Sequence, residues 1–344
     1  MEIKINVELN TKLPLYKQLI NFVQEHVENG EFKDGDFLPS MNELSNELFI
    51  SRETVKKAYS VLREMDIIDS SQGRGFYISN KDSDKIKTLL LFDKISTYKQ
   101  VLYNSFANTI GDRARITIHL HNQDVDLFEF FINENLDKFD YYIITPHFPL
   151  NPDIQKRVAR ILKRIPNRKL ILLDRYIESL PGNFGSVYQD HDKDIYDGLI
   201  QAADLLKKYK RLNVISSVPG SMYCQLIGKG IEKFRKETNF DIKFLKDINI
   251  DMIQKQDSFL ILNGQLDIEL IELIKTAKAK GLKIGKDIGI ISYNESPINE
   301  IILDGLTTFS TDFKQMGELA AKMILDKSLK KIRCDFRLVK RNTF

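Results

Sequence analysis

The 344-residue sequence has no tryptophan, no long apolar run and only two cysteines, Cys224 and Cys334. Two thiols cannot form the disulfide framework of a small secreted domain, so we expect both to stay free in a reducing compartment. No apolar stretch approaches the roughly 18 residues that a membrane-spanning helix needs. The opening residues MEIKINVEL also lack the apolar core of a signal peptide. We therefore expect a cytoplasmic protein without a membrane partner.

Signatures of catalysis are missing as well. Neither the phosphate-binding pattern G-x-x-x-x-G-K-[ST] nor the nucleophile pattern G-x-S-x-G occurs. His119 and His121 would share one face of a strand, but no third ligand follows at the spacing of a metal site. The sequence thus predicts no enzyme, no metal and no cofactor.

The clearest pattern that is present lies in residues 38–62, LPSMNELSNELFISRETVKKAYSVL, which predicts two short helices joined by a tight turn. Ser40 with Glu43 forms a capping-box pattern before the first helix, and Ser51 can cap the second. The second helix has one apolar face at helical spacing, made of Val55, Ala58, Tyr59 and Leu62. Its amino end offers Ser, Arg, Thr and Lys, which suits entry into the major groove of DNA.

The flanking segments strengthen this interpretation. Residues 14–29 predict an amphipathic helix, and residues 66–78 predict a strand, a glycine turn and a second strand, which together form a wing. The segments PLYKQL, GDFLPS, SRETV and GRGF, in this order and spacing, resemble the amino-terminal domain of GntR-family winged helix-turn-helix regulators. The resemblance covers roughly residues 13–78 and implies that Ser51, Arg52, Thr54 and Gly73 contact DNA.

This domain departs from the family in one position and is not globally basic. The family has Glu-Arg after its LPS, whereas this chain has Met41 and Asn42. Residues 1–80 contain nine Lys and Arg against thirteen Asp and Glu, a net charge of −4, so the positive charge is local. We expect weak non-specific binding and a homodimer on a palindromic double-stranded operator. The predicted DNA-contacting residues are Ser40, Asn42, Ser51, Arg52, Thr54, Lys56, Gly73 and Arg74.

The polar segment 79–85 marks a linker, so we predict a DNA-binding domain over residues 1–79, a linker over 80–86 and an effector-binding domain over 87–344. After the linker, apolar strand-like runs alternate with helical patterns from residues 88–92 to 288–292, and one of these patterns predicts a helix over residues 192–208. This alternation predicts parallel sheets covered by helices, and the length predicts two lobes. A late helix is expected within residues 309–325, beginning near residues 311–312, and residues 332–339 are expected to add an edge strand.

This half of the chain also resembles a known family. The run IGIISYNESPINEIILDGLTTFSTDFKQMGELAAKMIL is similar to the carboxy-terminal signature of LacI/GalR sensor domains, and YYIITP, LLDR, QLIGKGIEKF and LILNGQLD agree with it. The resemblance implies a periplasmic-binding-protein-like fold of two lobes with a sugar or purine in the cleft. The predicted fold class is therefore α/β multidomain, with a winged helix-turn-helix in front, a layout that resembles arabinose-repressor-like regulators.

The effector site is expected where the strands end, because open α/β sheets bind ligands beyond the carboxyl ends of their strands. Carboxylates, amides, an arginine and an aromatic ring at these ends suit the hydroxyls and the flat face of a sugar. The family's pocket amide falls on Asn263, its pocket arginine falls on Gln225 and its pocket aspartate falls on Asn294. The candidate effector residues are Asp93, His121, Phe148, Arg175, Asp190, Gln225, Asn263 and Asn294.

These observations predict a repressor that responds to a monosaccharide, with L-arabinose and L-fucose as the first candidates. Two alternatives stay open: the same DNA-binding domain with a purine or sugar-phosphate sensor, and an enzyme with a regulatory DNA-binding domain. Among the strand ends, Lys94 and Arg175 are the obvious cations, and this small number favours a neutral sugar over a sugar phosphate.

Overall fold

The structure is a computed structural model, and it describes residues 5, 13–79, 85–216, 221–246, 253–262 and 268–344. The chain divides into two compact units, Met1–Lys85 and Ile86–Phe344. The division falls within the predicted linker 80–86. Among the described residues, every helix is too short or too polar to cross a bilayer.

The first unit contains a helix-turn-helix and a wing, as predicted. Its elements are α1 (Leu15–Glu28), α2 (Met41–Glu47), α3 (Arg52–Glu64), β1 (Ile68–Ser71) and β2 (Gly75–Ile78). β1 and β2 pair antiparallel, and the Leu38 amide donates to the Phe76 carbonyl at 2.9 Å, which ties the segment before α2 to the wing. The apolar stripe of α3 is buried against Leu44 of α2 and Leu19 and Val23 of α1.

The first lobe of the second unit is built on a parallel sheet with helices on both faces. The order of its described strands is β13-β7-β6-β5-β3-β4. The strands are β3 (Ile86–Phe92), β4 (Ala114–Leu120), β5 (Tyr141–Ile144), β6 (Leu170–Asp174), β7 (Gly185–Tyr188) and β13 (Lys331–Arg333). The helices are α4 (Thr97–Ile110), α5 (Val125–Asn135), α6 (Pro152–Leu162) and α11 (Phe313–Leu325).

The second lobe repeats this plan with one antiparallel edge. The order of its described strands is β14-β12-β11-β10-β8-β9, and β14 runs antiparallel to β12. The strands are β8 (Arg211–Ile215), β9 (Ile242–Leu245), β10 (Asp257–Ile261), β11 (Gly289–Tyr293), β12 (Thr307–Thr311) and β14 (Phe336–Val339). The helices are α7 (His191–Gln201), α8 (Ala203–Leu206), α9 (Met222–Thr238) and α10 (Ile268–Ala279).

Between the described strands, the chain passes from one lobe to the other three times, after β7, after β12 and after β13. After the second passage, α11 returns to pack on α4 of the first lobe. A Cβ added at Gly317 of α11 would lie 2.3 Å from the Leu102 carbonyl oxygen, so only glycine allows the two helices to approach this closely. The α/β multidomain fold predicted from the sequence, with a two-lobed second half, is confirmed.

The late helix begins at Phe313 after the Asp312 cap, close to the predicted start, whereas Phe309 lies in β12, a strand that was not predicted. Two other details of the prediction were wrong. The helix predicted over residues 192–208 is divided at Ala202 into α7 and α8. The tail forms two edge strands, because β13 pairs with β7 of the first lobe and β14 pairs with β12 of the second.

Candidate DNA-binding face and effector cleft

The amino end of the recognition helix α3 is fixed by local hydrogen bonds. Ser51 Oγ accepts a hydrogen bond from the Thr54 amide at 3.1 Å, which satisfies one of the free amides of the first turn. The Tyr59 hydroxyl donates to the Pro39 carbonyl at 2.8 Å and thereby holds α3 against the start of α2. These two bonds define the start of α3 and connect the helix to the segment before α2.

The predicted DNA-contacting residues of α3 lie on its outer side. Ser51, Arg52 and Lys56 are exposed, and Thr54 is half-buried. The Arg52 guanidinium has no hydrogen-bond or ion-pair partner within the described part of the chain, so it is available to a ligand. Lys57 lies on another side of the helix, with Nζ 4.0 Å from the centre of the Tyr16 ring, and serves as a packing contact.

The remaining predicted DNA contacts lie on α2 and the wing. Ser40 is exposed but its side chain is engaged, because Oγ accepts from the Glu43 amide at 3.2 Å while the Glu43 carboxylate accepts from the Ser40 amide at 2.8 Å. The bond from the Ser40 amide is the main reason why the pKa of Glu43 is lowered. Asn42 and Arg74 are exposed, and Gly73 at the wing tip has φ +77°, which favours glycine.

Phe49, in the turn between α2 and α3, was not predicted to be unusual. Its φ is +52°, a left-handed conformation that bulky side chains rarely adopt, and the residue is 90 % exposed. The apolar ring therefore gains little from burial while its backbone is strained.

In the second unit, a cluster of buried polar side chains lies at the carboxyl ends of the first-lobe strands. Asp93 follows β3, Thr145 and His147 follow β5, and all three are essentially inaccessible to solvent. Asp93 Oδ1 accepts from Thr145 Oγ1 at 3.0 Å and lies 3.1 Å from His147 Nδ1. Lys99 of α4 is 1 % exposed and donates to the same carboxylate oxygen.

Burial shifts the pKa values of this cluster. It lowers the pKa of Lys99 to about 8, although the negative charge of Asp174 opposes the shift. It also lowers the pKa of His147 well below 6.5 and that of His191, the first residue of α7, to about 4. Both imidazoles are therefore neutral near pH 7.

Side chains from both lobes meet at this cluster. Thr311 at the end of β12 donates to Gln189 Oε1 at 2.9 Å, and Gln189 in turn donates to Asp174 of β6. Tyr223 of α9 reaches across from the second lobe, with its hydroxyl 2.6 Å from His147 Nδ1. Together with Phe148, these last two residues line a cavity of about 70 Å³ in the cleft.

Several buried polar atoms around this cleft have no hydrogen-bond partner among the described residues. Native proteins leave few such atoms without a partner, so these atoms are positioned to bond with ordered water or a ligand. Nε2 of His147 does lie 3.4 Å from Asp174 Oδ2, an ion-pair distance without hydrogen-bond geometry. The atoms are Asp93 Oδ2, His147 Nε2, Asp174 Oδ2, His191 Nε2, Tyr293 OH and Asn294 Oδ1.

Two candidate effector residues are packed into the protein interior. His121 is fully buried, with Nε2 3.0 Å from the Thr145 carbonyl oxygen and Nδ1 accepting from the Gln123 amide at 3.2 Å. Its ring stacks on Phe148, which is 1 % exposed and also contacts Phe128. His121 therefore has a structural role here and no free nitrogen, contrary to the expectation that it binds effector.

The other candidates differ in their surroundings. The Arg175 guanidinium donates to the Pro146 carbonyl at 3.1 Å and to Gln155 Oε1 at 3.0 Å. Asp190 is half-buried beside α7, and burial raises its pKa to about 6. Asn294 has an unpartnered buried Oδ1, Gln225 is exposed on α9, and Asn263 lies outside the described residues.

Four residues of the cleft were missing from the predicted site: Lys99, His147, Asp174 and Tyr223. Asp174 and His147 stand at predicted strand ends, where the rule that selected Asp93 does place them, but they were not kept among the candidate effector residues. Lys99 and Tyr223 lie on helices, and nothing in a helical pattern indicates that they reach a strand end. Within the described residues, no group of three or more His, Cys, Asp or Glu is arranged to hold a metal ion.

Comparison with known proteins relates both units to regulators. Residues 15–78 match the family of bacterial regulatory proteins of the gntR type, and residues 262–334 match the periplasmic binding protein-like domain. The transcriptional repressor YtrA of Bacillus subtilis is 36 % identical over 98 residues, which cover 28 % of this chain and 72 % of YtrA. The chain belongs to the gntR family of bacterial regulatory proteins.

Two further proteins match over a longer part of this gntR-family chain. The arabinose metabolism transcriptional repressor of Geobacillus stearothermophilus is 24 % identical over 341 residues, covering 91 % of each chain. The Lac repressor dimer bound to operator and the anti-inducer ONPF superimposes with a TM-score of 0.59 at 17 % identity, covering 88 % of this chain and 94 % of that one. The second match shows a shared fold. The gntR-family chain is a DNA-binding transcription regulator and not an enzyme.

Proposed function

We propose that this protein is a repressor whose release from DNA is controlled by a neutral monosaccharide in the cleft of the second unit. One observation carries the sugar assignment: three of the six buried unpartnered atoms of the cleft can only accept a hydrogen bond. Asp93 Oδ2, Asp174 Oδ2 and Asn294 Oδ1 can only accept, so the ligand has to donate at least three hydrogen bonds. A sugar with several free hydroxyls meets this requirement.

The alternative of a sugar-phosphate effector fits the cleft poorly. A phosphate needs cations that are free to pair with it. Lys99 is committed to Asp93, and the two Arg175 bonds go to Pro146 and Gln155. A phosphate placed beside the unpartnered carboxylate oxygens of Asp93 and Asp174 would be repelled by both.

The DNA side of the proposal rests on the exposed face of α3 and the wing. Arg52 and Lys56 of α3 and Arg74 of the wing are exposed cations in a unit that is acidic as a whole. We propose that the α3 residues enter the major groove of DNA and that Asn42 and the Gly73-Arg74 tip contact the neighbouring DNA backbone. Two chains would together read a palindromic operator in the cytoplasm.

A thermal-shift screen of the full chain tests the effector class. The panel contains neutral pentoses, hexoses and deoxy sugars, with L-arabinose and L-fucose first, and it also contains sugar phosphates and purines. A neutral sugar at about 100 times its dissociation constant should stabilise the second unit by about 2.7 kcal/mol. Stabilisation by phosphates or purines alone would contradict the proposal.

A second arm tests the repressor mechanism. Duplexes that the full chain selects from a random pool supply an operator whose sequence does not have to be assumed. The stabilising sugar should then weaken binding to the selected duplex by about 5- to 150-fold, the usual range of allosteric coupling. A sugar that binds the protein and leaves the DNA affinity unchanged would contradict this part.

A further inference from the structure

A second cavity lies at the opposite edge of the first-lobe sheet from the cleft. Its volume is about 560 Å³, within the range of roughly 300–1,000 Å³ that small-molecule sites occupy. Its lining residues lie at the amino ends of the strands β3, β5, β6 and β7 and at the carboxyl end of the helix α11. The seven residues of β3 separate the two edges by about 20 Å, so the cavity is distinct from the cleft.

The polar lining of this cavity is mainly cationic. Arg168, Lys169 and Lys327 face one carboxylate, that of Asp140. Asp140 is already engaged, because its carboxylate accepts from the Lys87 amide at 2.8 Å. The cavity therefore offers more positive charge than its own carboxylate neutralises.

Two of these cations are free. Within the described ranges, the side chains of Arg168 and Lys327 have no hydrogen-bond or ion-pair partner, and both are exposed. Lys169 gives one proton to the Phe139 carbonyl at 2.9 Å and keeps two for a ligand. Arginine and lysine together provide a planar fork and a point charge, a combination that suits a phosphate group.

The rest of the lining is apolar. Ile86 and Tyr141 form part of it, beside aliphatic side chains from the end of α11 and the following loop. Tyr141 is half-buried at the start of β5 and offers an aromatic ring to a flat ligand. A ligand with an anionic end and a flat organic body would be complementary to both parts.

We propose that this cavity binds a small phosphate monoester that carries a flat organic group, at a site separate from the effector cleft. Ile86 is the first residue of the second unit, so a ligand here would contact the point where the chain enters from the DNA-binding unit. The proposal stands independently of the sugar assignment, because no residue is shared between the two sites.

Calorimetric titration of the full chain tests it with three probes: AMP, adenosine and inorganic phosphate. AMP should bind with saturation, and both adenosine, which lacks the phosphate, and inorganic phosphate, which lacks the organic body, should bind at least about tenfold more weakly. Equal binding of AMP and adenosine, or the absence of saturable AMP binding, would overturn the proposal.

Matched variants locate the site. Arg168→Gln and Lys327→Gln should each weaken AMP binding by about tenfold, because each removes one charge-assisted contact. Arg160→Gln removes an exposed arginine of α6 outside the cavity and should leave AMP binding within about twofold. If Arg168→Gln and Arg160→Gln bind AMP alike, the ligand does not lie in this cavity.

Discussion

The proposed DNA-binding face and the proposed effector cleft use polar side chains in opposite ways. On the recognition helix, Ser51, Arg52 and Lys56 are exposed, and the Arg52 charge is free of partners in the described chain. In the cleft, Asp93 and Lys99 are buried, and burial shifts the pKa of Lys99 to about 8. DNA can be bound by side chains on a solvated surface, whereas a small neutral ligand has to be surrounded by fixed dipoles in a cleft.

This difference has an energetic consequence. Arg52 is exposed and has no side-chain partner in the described chain, so its replacement should change binding alone, whereas Ser51 also caps α3. A buried charge in the cleft is held by its partners, so its replacement should change stability as well as binding. Three experiments on stability follow, in decreasing order of expected effect.

The largest effect is expected for Lys99→Met. The variant leaves the Asp93 carboxylate buried without its cation, and breaking such a pair costs about 3–5 kcal/mol. Urea unfolding followed by circular dichroism should show this loss in the transition of the second unit.

The double variant Asp93→Leu/Lys99→Met is the matched control, because it removes both charges. It should recover most of the lost stability, since an apolar pair of similar volume often replaces a buried ion pair without loss. A single variant as stable as the unchanged chain would show that the two charges are not as buried or as closely paired as the structure indicates.

The second-largest effect is expected from the buried histidines, which should make the protein less stable as the pH falls. Burial lowers the pKa values of His121 and His191 to about 4, against an ordinary value of 6.5. Between these values the unfolded chain binds protons that the folded chain does not, so stability is fully present above 6.5 and is lost as the pH falls towards 4. Each histidine accounts for about 3 kcal/mol at most.

His191→Gln isolates one of these contributions from the carboxylates that titrate in the same range. Its free energy of unfolding, measured by urea denaturation across this pH range, should fall less steeply than that of the unchanged chain. Parallel pH profiles for the two chains would show that His191 is accessible to protons in the folded state.

The smallest effect concerns the turn of the helix-turn-helix. Phe49 has φ +52° and is largely exposed, so Phe49→Gly relieves backbone strain and gives up little burial. Glycine is more flexible in the unfolded chain, which offsets part of this relief. The free energy of unfolding of the first unit should therefore rise by about 0.5–1 kcal/mol, as measured by thermal unfolding. A loss of stability would show that the Phe49 ring packs against something in solution.

The sequence predicted the first unit better than the cleft, for a physical reason. The helix-turn-helix depends on contacts between near neighbours, such as the bond from the Thr54 amide to Ser51, and these have recognisable spacings. The cleft depends on contacts between distant residues, such as Tyr223 with His147. Lys99 was missed because lysine is expected on a helix surface, not in a buried ion pair.

The missed and misplaced strands have a similar cause. β12, with the sequence TTFST, contains polar residues typical of helix starts, yet it is buried because it lies between β11 and β14. The tail strands β13 and β14 have ordinary strand patterns. Their assignment to two different sheets depends on edges formed earlier in the chain.

The central claim is that DNA reading and effector sensing are carried by separate residues in separate units, and one paired measurement tests it. Arg52→Ala and Asp174→Asn are titrated with the selected duplex, with and without the stabilising sugar, by fluorescence anisotropy. Arg52→Ala should lose about tenfold or more in DNA affinity while still binding the sugar, and Asp174→Asn should keep its DNA affinity and lose the response to sugar. If both variants change both readouts alike, the two functions are not divided in this way.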